Sequence, residues 1–532
     1  MAWDMARGLG KRRAVPPEDQ VLYNYDLLEL IFSFLDDTPM RSGPKYNDKR
    51  RNLISAALVC KVFFGPAMDI LWRRIYTLRP LFCVIPTIQM EDGRYVAKKA
   101  ITEENVARLR LYAQRIRYLA LDDVERPIPP HIYYSILYLQ QSCLFSSLST
   151  FNFFFEKNQA PADVPSFSLF AGPALSSVTI RGTLNQAEEV IVASFLRDIH
   201  SVSPHNLRRL DLQGELTNVS LNYIEKFSKL KSLTLHLNSL KIDDLVDLFK
   251  PFPAPDSLQE LNLKFNLDDS ETAVMDSSMR LERVHLENLR TLIMRGTPSL
   301  ISILLDSLRP RDLDTLKISF KVPGLVQSAE EMFDCVKKVV CSSGMQTLQS
   351  IHFHSDEGAI PLDAFALLRT PDVPNVKEIN VRVDNLTGET MHTILYSTTS
   401  WSYLQTLTLL ATRSPLNISN IWDLVQLCPL LTKLTISVAA DFETRVLEEM
   451  QQRSELECAF PPLQELYLSP LVPVRGNRET LPCNDEMAIV VAHFIDHMFP
   501  DLKKITVHLE DVDRAYCELM EALVRQLRAS RE

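Results

Sequence analysis

Two histidine pairs in this chain have a spacing that chemistry could use. His493 and His497 stand four residues apart in "DEMAIVVAHFIDHMF", whose periodicity predicts a helix, so both rings would share one face, as a metal site requires. No third ligand stands at a metal-site spacing, and the pair reads as structural or exposed. His352 and His354 alternate in "SIHFHS", which puts them on one face of a strand, where they would meet an acidic partner or respond to pH. The nine cysteines (Cys60, Cys83, Cys143, Cys335, Cys341, Cys428, Cys458, Cys483, Cys517) are scattered singly, with neither zinc spacing nor a disulfide framework. They are expected to be reduced and mostly buried. There is no G-x-S-x-G elbow, no phosphate-cradling glycine loop and no H-E-x-x-H, and with 14 glycines in 532 residues the first two lack their basic requirement. The expectation is a non-enzymatic chain without cofactor or metal.

The strongest pattern is apolar instead. In "LYNYDLLELIFSFLDD", Leu27, Leu30, Ile31, Phe34 and Leu35 recur at three- and four-residue steps, one stripe of a short helix that Phe32 widens. In "RNLISAALVCKVFFGPAMDILWRRIY", Leu53, Ala56, Ala57 and Cys60 share a face of a second helix, and Phe63, Met68, Leu71 and Trp72 begin the apolar side of a third. Three short helices of this size bury too little surface to stand alone, so they need the rest of the chain or a partner against them. Residues 38–50, "TPMRSGPKYNDKR", are charged and rich in Pro and Gly, and read as a solvated loop. Residues 1–20 read as a mobile tail, in which Lys11, Arg12 and Arg13 are a weak nuclear-import patch.

From Ile116 onward a unit of form L-x-x-L-x-L recurs, with starts at Ile116, Leu148, Leu175, Leu207, Leu230, Leu258, Leu289, Leu313, Leu348, Val376, Leu404, Leu431, Leu463 and Leu502. Most steps lie near 28 to 32 residues, close to the leucine-rich-repeat range and slightly long for it. The period-two core of each unit predicts a half-buried strand. Helical patterns such as "SLNYIEKFSKL", "DDLVDLFKPF", "SAEEMFDCVKKVV", "NISNIWDLVQLC" and "ETRVLEEMQQ" fall between them. Strand and helix in alternation give an α/β solenoid, parallel strands lining a concave face and helices outside, capped by "DRAYCELMEALVRQLRAS". The central residue facing the concavity in each unit would be Ala120, Asn152, Thr179, Asp211, Thr234, Asn262, Ile293, Lys317, His352, Asn380, Thr408, Thr435, Tyr467 and Thr506. Of these, Asp211, Asn262, Lys317, His352, Asn380 and Tyr467 are the candidates for binding a target protein. Arg181, Lys264, Arg295, His354 and Arg382 neighbour them, with Glu260, Glu378 and Glu465 close by, so the surface is mixed in charge. The acidic stretch from Asp268 to Asp276 reads as a solvated loop, the alternative being a docking or phosphorylation segment.

Composition sets the outer bounds. The chain is 46% hydrophobic and carries a net charge of -10, which fits a folded protein and disfavours a general nucleic-acid binder. No long apolar run suggests a leader or a membrane span, so a cytoplasmic or nuclear protein is expected. The domain plan is a tail at 1–20, a helical domain at 21–77, a helical connector at 78–115 and a repeat array at 116–532.

Order and spacing in the helical domain resemble an F-box: Asp26-Leu27-Leu28, Ile31-Phe32-Ser33-Phe34-Leu35, Ala57-Leu58-Val59-Cys60, Phe63 and Leu71-Trp72 occupy the motif's places in its order. The chain departs from the motif where Tyr23 and Asn24 replace a Leu-Pro pair and where the 38–50 insert intervenes. F-box proteins of mushroom-forming fungi continue with a Pro-ended segment, a helix ending in Tyr-Ala-x-Arg-Val-Arg-x-Leu and irregular leucine-rich repeats, similar to "LRPLFCVIP" and "YAQRIRYLAL" in this chain. The resemblance implies an N-terminal three-helix F-box followed by irregular leucine-rich repeats. It also implies a function, that of substrate-recognition subunit of a Skp-cullin-F-box ubiquitin ligase. Leu27, Ile31, Phe32, Leu35, Leu58, Val59, Phe63, Leu71 and Trp72 would dock the Skp-family adaptor, and through it cullin. The alternative is an F-box and repeat scaffold without a degradative role.

Overall fold

The computed structural model describes residues 24–35, 44–91, 94–121, 128–139, 143–155, 166–182, 185–238, 257–266, 284–321, 327–341, 347–355, 375–385, 401–414, 419–426, 428–437, 462–469, 485–507 and 514–529. The basic tail, the first part of the 38–50 insert, the acidic stretch at 268–276 and the helical patterns at 243–252 and 443–452 lie outside these residues. The chain divides into two compact units, Met1–Arg209 and Leu210–Glu532.

The first unit opens with three helices, α1 (Tyr25–Ser33), α2 (Pro44–Val59) and α3 (Lys61–Arg73). Asn24, standing where the resembled motif has Pro, caps α1 by accepting the Leu27 N–H at 3.2 Å. The second half of the insert is helical, not loop: Pro44 begins α2, because proline's fixed φ suits a first helical turn and the polar residues after it carry adequate helix propensity. Beyond α3 come β1 (Arg74–Ile75), an antiparallel hairpin of β2 (Ile88–Glu91) and β3 (Arg94–Ala97), and α4 (Glu103–Ala113). The segment expected as a helical connector therefore holds a hairpin as well. Then follow β4 (Tyr118–Leu121), α5 (Pro130–Leu139), β5 (Thr150–Phe155), β6 (Ser177–Gly182) and α6 (Gln186–Val202). β1, β4, β5 and β6 form parallel ladders in that order. Phe151, Phe155, Phe167, Phe170 and Phe195 fill the core beneath them. Gly182 ends β6 at φ 125°, in the left-handed region, and a Cβ there would run into the Phe155 carbonyl oxygen.

The second unit repeats the theme with β7 (Arg209–Gly214), β8 (Ser232–Asn238), β9 (Glu260–Asn266), β10 (Val284–Leu286), β11 (Thr291–Gly296), β12 (Leu308–Pro310), β13 (Thr315–Phe320), β14 (Ser350–Ser355), β15 (Glu378–Asn385), β16 (Thr406–Ser414), β17 (Lys433–Ser437), β18 (Glu465–Ser469) and β19 (Lys504–Val507). All but β10 and β12, which pair with each other, lie in sequence order in the main sheet. Helices α7 (Pro298–Ser307), α8 (Gln327–Cys341), α9 (Ser419–Gln426), α10 (Asp485–Met498) and α11 (Arg514–Ala529) intervene or close the unit. The expected helix at 220–230 is instead a short α-turn at Asn218–Leu221 and a 3-10 turn at Ile224–Lys226.

All fourteen repeats become strands, each opening two residues after the unit's first apolar residue, and every one of those first residues is buried. A common stitch enters twelve of these strands. Two successive N–H groups donate to one carbonyl of the preceding repeat, as Asp314 and Thr315 do to Arg290 and as Gln349 and Ser350 do to Asp314. The polar groups entering the sheet are thereby satisfied regardless of what lies between strands, which is how repeats of irregular length keep one register.

Candidate functional site

The three helices meet through Leu28, Phe32, Leu53, Ala57, Ala67, Ile70, Leu71 and Trp72, all buried. Phe32 and Phe63 meet edge to face with centroids 5.5 Å apart. The nine expected docking residues thus separate. Phe32, Leu71 and Trp72 are buried and not available to a partner. Leu35 and Phe63 are half-buried, and Leu27, Ile31, Leu58 and Val59 are exposed. Leu30, Phe34, Ile54 and Phe64 are exposed as well, with Leu58 at 79% and Phe34 at 69%. The stripe of α1 read from periodicity therefore faces outward, while Leu28 and Phe32, four apart, face the interior.

A polar clamp fixes α1 and α3 to the start of the repeats. Asp69 of α3 accepts from Tyr25 and from Arg115, and Glu29 of α1 pairs with Arg73. Arg117 approaches Glu29 at 3.9 Å, and its N–H donates to the Arg73 carbonyl at 2.9 Å, beside the β1–β4 ladder. Tyr112 lies on Trp72 with centroids 5.0 Å apart. Burial, and then the hydrogen bond to Asp69, push the Tyr25 hydroxyl up to about 12, so it remains a donor across the ordinary pH range. The residues of "YAQRIRYLAL" thereby acquire a mechanical role that their spacing alone does not reveal.

On the sheet of the second unit, the expected row of central residues is in register. Thr234, Asn262, Ile293, Lys317, His352, Asn380, Thr408, Thr435, Tyr467 and Thr506 pair strand to strand without a break. Among the target-binding candidates, Asn262, Lys317, His352 and Asn380 fall together within this row. Tyr467 lies further along in a cluster of its own: Lys433 and Lys504 sit 5.0 and 5.2 Å from its ring centre, and its hydroxyl donates to Glu465 at 3.1 Å. Two expectations fail. Asp211 is 7% exposed and Ala120 is fully buried, so neither presents a surface. On β4 the side chains of both faces are covered, and the Tyr118 ring, packed against Tyr76 and bonded to Asn152, occupies the face that Ala120 shares.

His352 contacts Ser350 at 2.8 Å and Glu378 at 3.7 Å. Burial lowers its pKa below the usual 6.5 despite that carboxylate, so the ring is neutral at pH 7. His354 alternates with it on β14 and is exposed. His493 and His497 are exposed on α10, and among the described residues no group of three or more potential ligands gathers around a metal. Five cysteines are described, all free thiols: Cys335 and Cys428 are buried, Cys143 is partly so, and Cys60 and Cys83 are exposed, so burial is less general than expected. Desolvation pushes Cys335 up to about 12, an inert thiol. Among the described residues, no helix is long and apolar enough to cross a membrane.

No family model matches the chain, and no curated protein does. Among solved structures, a chain from the crystal structure of the Rad7 and Elc1 complex in yeast is similar at 13% identity, over 86% of this chain and 92% of that chain, with a TM-score of 0.30. At that score the likeness carries no conclusion about function.

Proposed function

We propose that the chain is the target-binding subunit of a Skp-cullin-F-box ubiquitin ligase, α1 to α3 being an F-box that docks a Skp-family adaptor and the repeat sheet binding the target. The observation that carries this reading is the outward apolar face of the three helices. Leu27, Leu30, Ile31, Phe34, Leu58 and Val59 are all exposed on a unit whose own core is already filled. Scattered apolar residues on a surface need no explanation, but these six, with Ile54 and Phe64, leave a cost that a partner's surface would remove. Burying one such leucine stabilises a complex by roughly 1.5–3 kcal/mol, so a few of them suffice for a stable one. The motif order read from the sequence gives the partner its class.

In this reading the chain performs no chemistry. Its contribution is proximity: a target held on the sheet is kept near the ubiquitin-charged enzyme, which raises the effective concentration of its lysines. Co-purification of the full chain with a purified Skp-family adaptor tests the reading; a one-to-one complex is expected, and a chain that elutes alone in the presence of excess adaptor would refute it.

A further inference from the structure

The strands of the repeat array are entered through tight turns, and in eight repeats the buried residue that opens the unit closes its turn by donating to the carbonyl three residues back. The residue just before it stands at the turn's outer corner. A turn corner favours Asn, Asp, Ser or Gly, whose side chains bond back to the backbone or leave it room. Most of the eight corners hold small or polar residues, such as Ser147, Lys229, Asn288 and Asp501, but two successive repeats hold Tyr403 and Leu430, 54% and 46% exposed. Neither the turn nor the core explains them. The ladder that pairs Thr406 with Lys433 and Lys433 with Glu465 sets Tyr403, Leu430 and Pro462 side by side along the edge where the strands begin, about 4.8 Å apart. Pro429, next to Leu430, is exposed as well. Just inside these corners runs a second row, Lys377, Gln405, Thr432, Gln464 and Lys503, with a lysine at each end and neutral side chains between. Lys377 donates to the Gln349 side chain at 3.1 Å and Lys503 to the Gln464 side chain at 3.2 Å, so among the described residues both ammonium groups are held by neutral amides.

We propose that this edge docks an amphipathic helix of a partner protein, lying across the entries of β15 to β19 with its apolar face on Tyr403 and Leu430 and acidic residues toward both ends. An added strand does not fit. At each of these entries two successive N–H groups already donate to the preceding repeat, so the edge has no open ladder to extend, and side chains must carry the contact. Charge and length then select the helix. Lys377 and Lys503 stand four strands apart, roughly 19 Å, which is the length of about 13 helical residues. A helix of that size presents apolar side chains at three- and four-residue steps to the corner residues and carries carboxylates at both ends to the lysines. The edge involves neither the F-box helices nor the open face of the sheet. Its test is therefore independent of the ligase reading.

The test uses the full chain and a fluorescein-labelled, hydrocarbon-stapled peptide of about 14 residues, with leucines on one helical face and glutamates in its first and last turns. Fluorescence anisotropy should show saturable binding. Tyr403→Glu and Leu430→Glu should each weaken it about tenfold, because each sets a carboxylate in the apolar contact, and Lys503→Glu about threefold. Lys229→Glu, at the same corner of an earlier repeat, should leave it unchanged. All four positions are exposed, so the thermal transition should stay in place; Tyr403→Ser and Leu430→Ser, which restore an ordinary turn residue, replace any glutamate variant that fails to fold. The proposal fails if the peptide does not bind or if the Tyr403 and Leu430 variants bind it unchanged. It also fails if a peptide with its leucines scattered round the helix, or with lysines for glutamates, binds as well. Light scattering of the chain alone should show a monomer; a dimer that Leu430→Glu dissociates would make the edge an interface between copies and overturn the proposal.

Discussion

The outer face of the first three helices and the open face of the second unit's sheet are both solvent-facing surfaces that extend beyond what folding requires, and they differ in kind. The helical face is apolar and offers a partner buried area. The sheet face is polar and mixed in charge, with Glu260, Glu378, Lys433 and Lys504 all at strand starts, and offers a partner hydrogen bonds and ion pairs. Hydrophobic docking tolerates salt and punishes an introduced charge, whereas electrostatic docking is screened by salt and is governed by on-rate. One chain carrying both would hold a constant partner by the first and select a variable one by the second.

The largest expected effect sharpens the contrast between the two sides of the helical unit itself. Trp72→Ala should destabilise the first unit by about 3–5 kcal/mol, seen as a lowered thermal transition, while Leu58→Ala, at a 79% exposed position, should leave that transition in place. If both substitutions lowered it equally, the division into interior and docking residues would be wrong. Next in size, Asp69→Asn removes the anion shared by Tyr25 and Arg115 and should cost about 2 kcal/mol, measured by urea unfolding. An unchanged midpoint would show that the clamp does not hold α3 to the repeats. Raising salt from 0.1 to 0.5 M should change adaptor affinity by less than about twofold, as an apolar contact requires, and a tenfold fall would make the contact electrostatic instead.

The smallest effect concerns His352. Its lowered pKa means that the unfolded chain takes up a proton first as pH falls below 6.5, so the ring's contribution to stability is complete above that value and is lost as pH falls toward the folded pKa. Nuclear magnetic resonance of the ring should give a midpoint below 6.5; one above it would mean that Glu378, not burial, governs the site.

The strands were legible because their signal is strict. A leucine that must be buried, followed by alternation, fixed every strand start in all fourteen repeats and the register of the central row in the second unit. β1 was not legible, since two residues, Arg74 and Ile75, are too few to alternate. The hairpin at 88–97 had a signal, Asp92-Gly93 between two short alternating runs, that a helical reading passes over. In α1 the sequence offers two apolar stripes, because "LLELIF" is apolar nearly all round, and only packing against α3 decides that Leu28 and Phe32 turn inward. The burial of Asp211 was equally invisible, as a lone aspartate between leucines looks the same whether its strand face is open or covered.

The central claim is that the outward apolar face docks an adaptor. It is tested most directly by size-exclusion chromatography of the full chain with a purified Skp-family adaptor, beside a variant carrying Ile31→Glu and Leu58→Glu. The account predicts a one-to-one complex for the unaltered chain and, for the variant, an unchanged thermal transition with capture weakened more than about a hundredfold. A variant that still captures the adaptor, or an unaltered chain that ignores it, would contradict the account.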